Sequence, residues 1–277
     1  MRHRRAAALA TLLATLAALL PGSVAAQSFS AQPHLYMLTT DAFDARALWL
    51  QPAGLAARPE ASFSGLLTAS TSGRRTITQY GLTLASRGIG LGWQHDRLPD
   101  GSSDNQWAVG LAGGTARFTA GVARRWIKGD STDAAAFDAG IRYAARPNLQ
   151  LSLAWRDIGS PVVRDTTVRA TLVPGLALAL FGARAEIGAD WEIVTRGWGT
   201  SALRAGAAVA LPLQLSLSVR ADFSGSLHAR GLALALTWNP AAARVTAFAS
   251  RPAGAGVDQV GAWLSAVQRV GGPRRRF

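Results

Sequence analysis

The sequence predicts an all-β chain folded as a transmembrane up-and-down antiparallel β-barrel of about 14 strands, preceded by a short N-terminal segment without alternation. Three observations carry this expectation. From Glu60 onward, apolar and polar residues alternate with a period of two in one segment after another. The connections between these segments alternate between short turns and longer polar loops. The aromatic residues fall at segment ends, where a membrane–water interface favours side chains with an apolar body and a polar tip.

The chain opens with an export signal. Arg2, Arg4 and Arg5 precede a run of apolar and threonine residues from Ala6 to Leu20, Pro21-Gly22 break it, and Val24-Ala25-Ala26 suit signal peptidase. Residues 1–26 therefore read as a signal peptide cleaved after Ala26. The run is too short for an anchor, which needs about 20 apolar residues. Cleavage leaves about 250 residues, enough for one large β domain. It removes three arginines from a chain of formal charge +13. Every remaining basic residue except Lys128 is an arginine, and these are scattered singly, as at Arg156, Arg184, Arg204 and Arg220. With the exported address, that scatter excludes nucleic acid as a partner. The chain has no cysteine, so no disulfide staples it. No later apolar run reaches helix-spanning length, so a membrane would be crossed by strands.

Residues 27–59 do not alternate. They hold a helix-like stretch around Phe43 to Leu48, followed by Gln51-Pro52-Ala53-Gly54-Leu55. Fourteen candidate strands then cover residues 60–268: 60–71, 77–86, 88–96, 105–113, 115–127, 135–145, 148–157, 169–181, 183–195, 201–211, 213–223, 228–238, 243–250 and 257–268. Most run about 9 to 13 residues, close to what a tilted strand needs to cross a bilayer. Arg87, Gly114, Arg146-Pro147, Gly182, Pro212 and Asn239 to Ala242 mark short turns. Between them lie longer loops at 97–104, 128–134, 158–168 and 196–200. A membrane barrel sorts its connections this way, with short periplasmic turns and longer external loops, whereas a Greek-key sandwich has no reason to. Residues 269–277, "RVGGPRRRF", read as a solvated basic tail ending in Phe277.

The alternation assigns faces. Leu149, Leu151, Leu153 and Trp155 fall on one face, and Gln150, Ser152 and Arg156 on the other. Leu213 to Val219 and Ile187 to Ile193 divide likewise, which sets Glu186, Asp190 and Glu192 on a polar face. Inside a protein core such a carboxylate row would be costly, so the polar faces are expected to line a lumen. Gln150, Arg142, Arg156, Glu186, Asp190, Glu192 and Arg204 are the candidate lumen residues. They are read first as ion pairs across the wall, with a polar path or the grip on an internal plug as the alternative. In "RGIGLGW", Gly88, Gly90 and Gly92 alternate with Ile89, Leu91 and Trp93, and no helix follows to make a phosphate cradle. A glycine stripe on the inner face would make room for something inside the barrel.

Catalysis finds little support. His34, His95 and His228 are the histidines left after cleavage, and no G-x-S-x-G elbow or H-E-x-x-H pair is present. "DGSSD", Asp100 to Asp104, lacks the ligand spacing of a calcium loop and reads as solvated. No cofactor, metal or enzymatic activity is expected.

Asp44-Ala45-Arg46-Ala47 and Pro52-Ala53-Gly54-Leu55-Ala56 give the segment before the barrel a resemblance to outer-membrane barrels of the long-chain fatty-acid transporter (FadL-like) type, including the related PorV/PorQ group. Those carry a D-A-x-A…N-P-A-G-L-A pattern there, with Gln51 here in the asparagine position. "LAWRDIGSP" similarly looks like their R-N-x-G stretch, with Asp157 in place of asparagine. The resemblance implies a fourteen-stranded barrel with its N-terminal segment folded inward as a hatch, to which Asp44, Arg46, Pro52 and Gly54 belong. It implies outer-membrane lipid as surroundings and passage of small hydrophobic molecules. In the PorV-like branch it implies instead a non-transporting docking role toward a secretion or assembly partner.

Overall fold

The computed structural model describes residues 36–58, 60–71, 76–97, 101–130, 132–240, 242–253 and 256–269. The expected signal peptide and most of the basic tail lie outside the described residues.

Alternating side chains produce strands almost throughout. They are β1 (Glu60–Ser70), β2 (Ile77–Ser86), β3 (Ile89–Arg97), β4 (Ser103–Gly114), β5 (Phe118–Gly129), β6 (Thr132–Arg146), β7 (Leu149–Ile158), β8 (Val162–Val163), β9 (Thr166–Thr167), β10 (Thr171–Leu180), β11 (Ala185–Val194), β12 (Gly199–Ala210), β13 (Leu215–Ser224), β14 (Ala229–Trp238), β15 (Ala243–Pro252) and β16 (Gln259–Arg269). All but β8 and β9 form one closed barrel of fourteen antiparallel strands, each beside its sequence neighbour. Closure comes from β1 and β16, which pair from Glu60↔Arg269 to Ser70↔Gln259 and leave no sheet edge exposed. No helix among the described residues is long and apolar enough to cross a membrane; a closed barrel crosses with strands.

The two faces separate as the pattern predicts. Along β2, Tyr80, Leu82 and Leu84 are exposed while Gln79, Thr83 and Ala85 are buried. On β7, Leu151 and Trp155 point out and Ser152, Ala154 and Arg156 point in. Phe63, Leu67, Leu91, Leu111, Val122, Ile141, Leu176, Ile187, Leu234 and Leu264 extend the apolar exterior around the wall. An apolar surface of this extent is unsuited to water and suited to lipid. Trp107, Phe137, Trp155 and Trp191 ring its long-loop end, and Tyr143 and Trp238 lie at its short-turn end.

Four loop readings are corrected. Residues 128–134, expected as a long loop, are mostly strand, because β5 and β6 stay paired up to Gly129↔Thr132. Polar side chains there conceal the ladder, which uses only backbone groups. Loop lengths also alternate less cleanly than expected: the turns at 195–198 and 225–228 match those at 181–184 and 211–214. The loop 158–168 carries a two-stranded ribbon of its own, β8–β9. Asp104, expected in a solvated loop, belongs to β4 and turns inward, buried against Arg164 of that ribbon.

At the short-turn end, Arg87 and Gly88 have φ of 47° and 90°, the two positive angles a tight two-residue hairpin turn requires. Asp157 has φ of 54° at the end of β7. Asparagine and aspartate tolerate that backbone best among side chains other than glycine.

Candidate functional site: the lumen and the segment inside it

The barrel is not hollow. Residues 36–58 lie within it and supply most of the buried apolar cluster, with Tyr36, Met37, Leu48, Trp49, Leu50 and Leu55 packed against Leu66, Phe248 and Trp263 of the inner wall. Locally the segment is a series of tight turns: Thr39–Asp41, a single helical turn at Ala47–Leu50, and Pro52–Ala56. The helical turn falls a few residues beyond the expected Phe43–Leu48, because Pro52 fixes where it must stop. Gly54 permits this compact course. A Cβ there would fall 1.9 Å from the Ala42 carbonyl oxygen.

The wall yields to the segment through missing side chains. A Cβ on Gly92 would meet Trp49 at 2.6 Å, and one on Gly110 would meet Leu48 at 2.7 Å. A Cβ on Gly121 would meet the Pro52 backbone at 2.7 Å, and one on Gly188 would meet Leu38 at 2.8 Å. The tightest approach is at Gly140, whose Cβ would lie 1.6 Å from Gln51 Oε1. These are inner-face positions on β3 to β6 and β11, so the glycine row follows the path of the segment.

Polar groups fix the segment's register. The Thr39 N–H donates to Asp190 Oδ2 at 2.8 Å and its hydroxyl to Asp190 Oδ1 at 2.7 Å. Arg142 donates to the carbonyls of Thr40 (2.8 Å) and Ala42 (3.3 Å), and also to the Gln150 side chain. Arg220 donates to the Met37 carbonyl at 3.0 Å. Trp49 Nε1 donates to Thr83 Oγ1 at 2.8 Å, and the Ala45 N–H donates to Ser62 Oγ at 3.0 Å. Gln51 Nε2 reaches two backbone carbonyls of the wall, Ile141 at 2.9 Å and Leu153 at 3.1 Å. Hydrogen bonds of this kind contribute roughly 1 kcal/mol each, and more where an ion takes part.

Charge holds the middle of the segment. Asp44 is buried in an ion pair with Arg46 at 2.7 Å and is joined by Arg244 of β15. Burial alone would push the Asp44 carboxyl up; the guanidiniums of Arg46 and Arg244 outweigh it and hold the carboxyl well below the usual carboxylate range. Arg46 also donates to the Tyr36 hydroxyl, and Tyr36 stacks on Phe248 with ring centroids 4.7 Å apart. Asp41 is the opposite case: burial, then the charge and hydrogen bond of Glu186, push its carboxyl up to about 7.

The expected lumen residues divide between two tasks. Arg142 and Asp190 contact the segment, and Glu186 lies beside Asp41. Gln150 serves as an acceptor for Arg142 near the short-turn rim. Glu192 and Arg204 pair within the wall at 2.7 Å, with Asp222 at 3.8 Å from Arg204. Asp190 is the register partner of Arg204, yet its carboxylate bonds to Thr39. Arg156 is buried within the field of Asp157, Asp138 and Glu192. Of the expected hatch residues, Asp44 and Arg46 form the buried pair, while Pro52 and Gly54 shape the turns.

Sequence reasoning missed Arg125, which pairs with Asp138 at 2.8 Å and also with Asp157. It missed Arg244 and the inward-facing Trp263, and it set Arg220 on the inner face without naming it as a lumen residue. It also missed a carboxamide cluster near the long-loop end, where Gln79, Gln94 and Gln106 donate to Asp96. The alternation that placed Arg156 inside places each of these inside as well; what it could not supply was which strand lies beside which residue of the segment.

Fold and interior together define a membrane-type barrel of fourteen strands occupied by its own N-terminal segment. The same fold is found in solved structures. A CymD monoaromatic hydrocarbon channel superposes with a TM-score of 0.62 at 10% identity, covering 87% of this chain and 97% of the channel. The Ralstonia pickettii toluene transporter TbuX gives 0.56 at 13% identity over 82% and 94%. The Pseudomonas putida toluene transporter TodX gives 0.54 at 12% over 87% and 98%. No protein-family model and no curated protein sequence matches the chain. At these identities the likeness establishes the fold alone, a closed barrel of fourteen antiparallel strands.

Proposed function

We propose that the protein is exported through a signal peptide cleaved after Ala26, inserts in the bacterial outer membrane, and admits small hydrophobic molecules past residues 27–59 acting as a hatch. The observation that carries this reading is the manner in which the segment is held: contacts from β6, β11, β13 and β15 meet in the lumen on a stretch of chain tethered to the wall at β1. A wall that needed permanent filling could use its own large side chains. A glycine-lined wall around a tethered segment allows the filling to shift. The architecture shared with monoaromatic hydrocarbon and toluene channels suggests small aromatic hydrocarbons as the cargo class.

The test is uptake of toluene into liposomes carrying the purified protein. Wild type should exceed empty liposomes. Asp190→Ala combined with Arg142→Ala, which frees one end of the segment, should change the rate, as should deletion of residues 28–57. Uptake equal to that of empty liposomes in all three would overturn the reading. The filled lumen also favours a second reading, a non-transporting docking barrel. That reading expects a stoichiometric partner on affinity capture from membranes and no uptake by any variant.

A further inference from the structure

We propose that the lipid-facing wall of β4 to β7 binds a lipid with a phosphate-bearing headgroup, with Arg124 holding the phosphate and an apolar groove beside it holding an acyl chain. β5 alternates strictly here, so Arg125 points inward to Asp138 while Arg124 points outward and is exposed. The register sets Arg124 between Val109 on β4 and Phe137 on β6, one row inside the Trp107↔Trp126 pair of the aromatic rim. Its guanidinium lies 4.9 Å from the Trp126 ring and 5.3 Å from the Phe137 ring. No carboxylate pairs with it among the described residues. The nearest outward charge toward the rim, Lys128, faces Asp133 at 3.9 Å.

An unpaired arginine on a lipid-facing wall is costly unless it can reach headgroups, and its long stem lets it do so. Directly below, the next outward row is Val122↔Ala139. There the wall is indented into an open groove of about 630 Å³. Leu111, Val122, Ile141 and Leu153 form its sides, and the small side chains of Ala120 and Ala139 leave it open. Charge and groove are contiguous, with the charge on the interface side. That is the layout of an anionic amphiphile, and a guanidinium fork matches phosphate oxygens. Arg124 lies at the long-loop end, which places the site in the external leaflet.

The inference rests on the proposed outer-membrane location but not on passage through the lumen, so failure of the uptake test leaves it standing. The experiment is retention of diphosphoryl lipid A by the purified full-length protein under native mass spectrometry, with dephosphorylated lipid A and inorganic phosphate as controls. Wild type should retain the diphosphoryl lipid at least about tenfold better than the dephosphorylated one, and free phosphate should not displace it. Arg124→Gln should lose that preference, and Arg124→Lys should recover part of it. Ala139→Phe, which fills the groove from outside and leaves the lumen untouched, should lower retention of both lipids. A heat-modifiability gel shows that each variant is folded. Equal retention of the two lipids by wild type, retention unaffected by Arg124→Gln, or displacement by free phosphate would each overturn the proposal, the last by making this a simple anion site.

Discussion

The closest contact between wall and segment can be turned into a measurement. Gly140→Ala adds one methyl group where the space is already taken by Gln51 Oε1, 1.6 Å from the new carbon, with Gln51 Cδ at 2.6 Å. Gln51 has no exposed surface and is held by two wall carbonyls, so the clash can be relieved only by moving the amide out of its bonds. Overpacking costs about 1–3 kcal/mol, and two lost hydrogen bonds cost about 1 kcal/mol each. Together, about 3–5 kcal/mol would raise the undocked population of this part of the segment by about 150- to 4000-fold. Because the chain has no cysteine, Leu55→Cys provides a single buried thiol in the adjoining turn. Its labelling by a polar maleimide should accelerate by that factor in the Gly140→Ala background. Gly113→Ala is the control, since a Cβ there meets nothing within 4 Å. Gln51→Ala should remove the clash, so the double variant should be less open than the two single effects added together. Labelling of the Gly140→Ala protein at the control rate, with the barrel folded, would refute the reasoning.

Other expectations follow from the same geometry. Asp41, with its carboxyl raised to about 7 in the folded protein, is protonated there at a pH where the unfolded chain is already ionised. The stabilisation of residues 38–42 is therefore full at acid pH and is lost as pH rises through about 7. Hydrogen exchange of these amides, corrected for intrinsic rate, should be faster at pH 8 than at pH 5, and Asp41→Asn should remove the difference. Arg204→Ala leaves Glu192 without its partner inside the barrel and should lower stability by about 3 kcal/mol or more in urea titrations. An effect below 1 kcal/mol would mean that water already reaches the pair. Trp263→Ala opens a void in the buried cluster and should cost about 3–5 kcal/mol, whereas Trp191→Ala at the half-exposed rim should cost much less. Spin labels at Leu151 and Gln150 should report oxygen and nickel-chelate accessibility respectively; a label at Leu151 shielded from both would contradict a lipid-facing wall.

Strand number, hairpin order and the facing of nearly every side chain were legible because each is a local property. A period of two needs only neighbouring residues, and Leu151 against Ser152 is decided within three positions. The interior was legible only as a contrast between glycine and charge. Gly90 and Gly92 announce space without saying what fills it, and Asp190 announces polarity without saying that Thr39, 151 residues away, will use it. Arg204 shows the limit well. Its register partner is Asp190, yet its shortest ion pair runs diagonally to Glu192, because the segment has already engaged Asp190. The ladder between β5 and β6 was hidden for a different reason. Backbone hydrogen bonds ignore polarity, so "KGDSTDA" reads as loop while much of it pairs as strand.

The eleven-residue seam between β1 and β16 has a consequence for biogenesis. Strand β16 must find β1 across the whole barrel sequence, so the cylinder cannot be sealed until both have arrived, and any chain lacking β16 has two raw borders. Residues 36–58 precede the first strand and finish enclosed, so they must already be in place, or be threaded in, when the seam zips. A chain cut before Gln259 would leave β1 and β15 as unmatched borders, and such a product should be cleared by proteases rather than accumulate as a narrower pore.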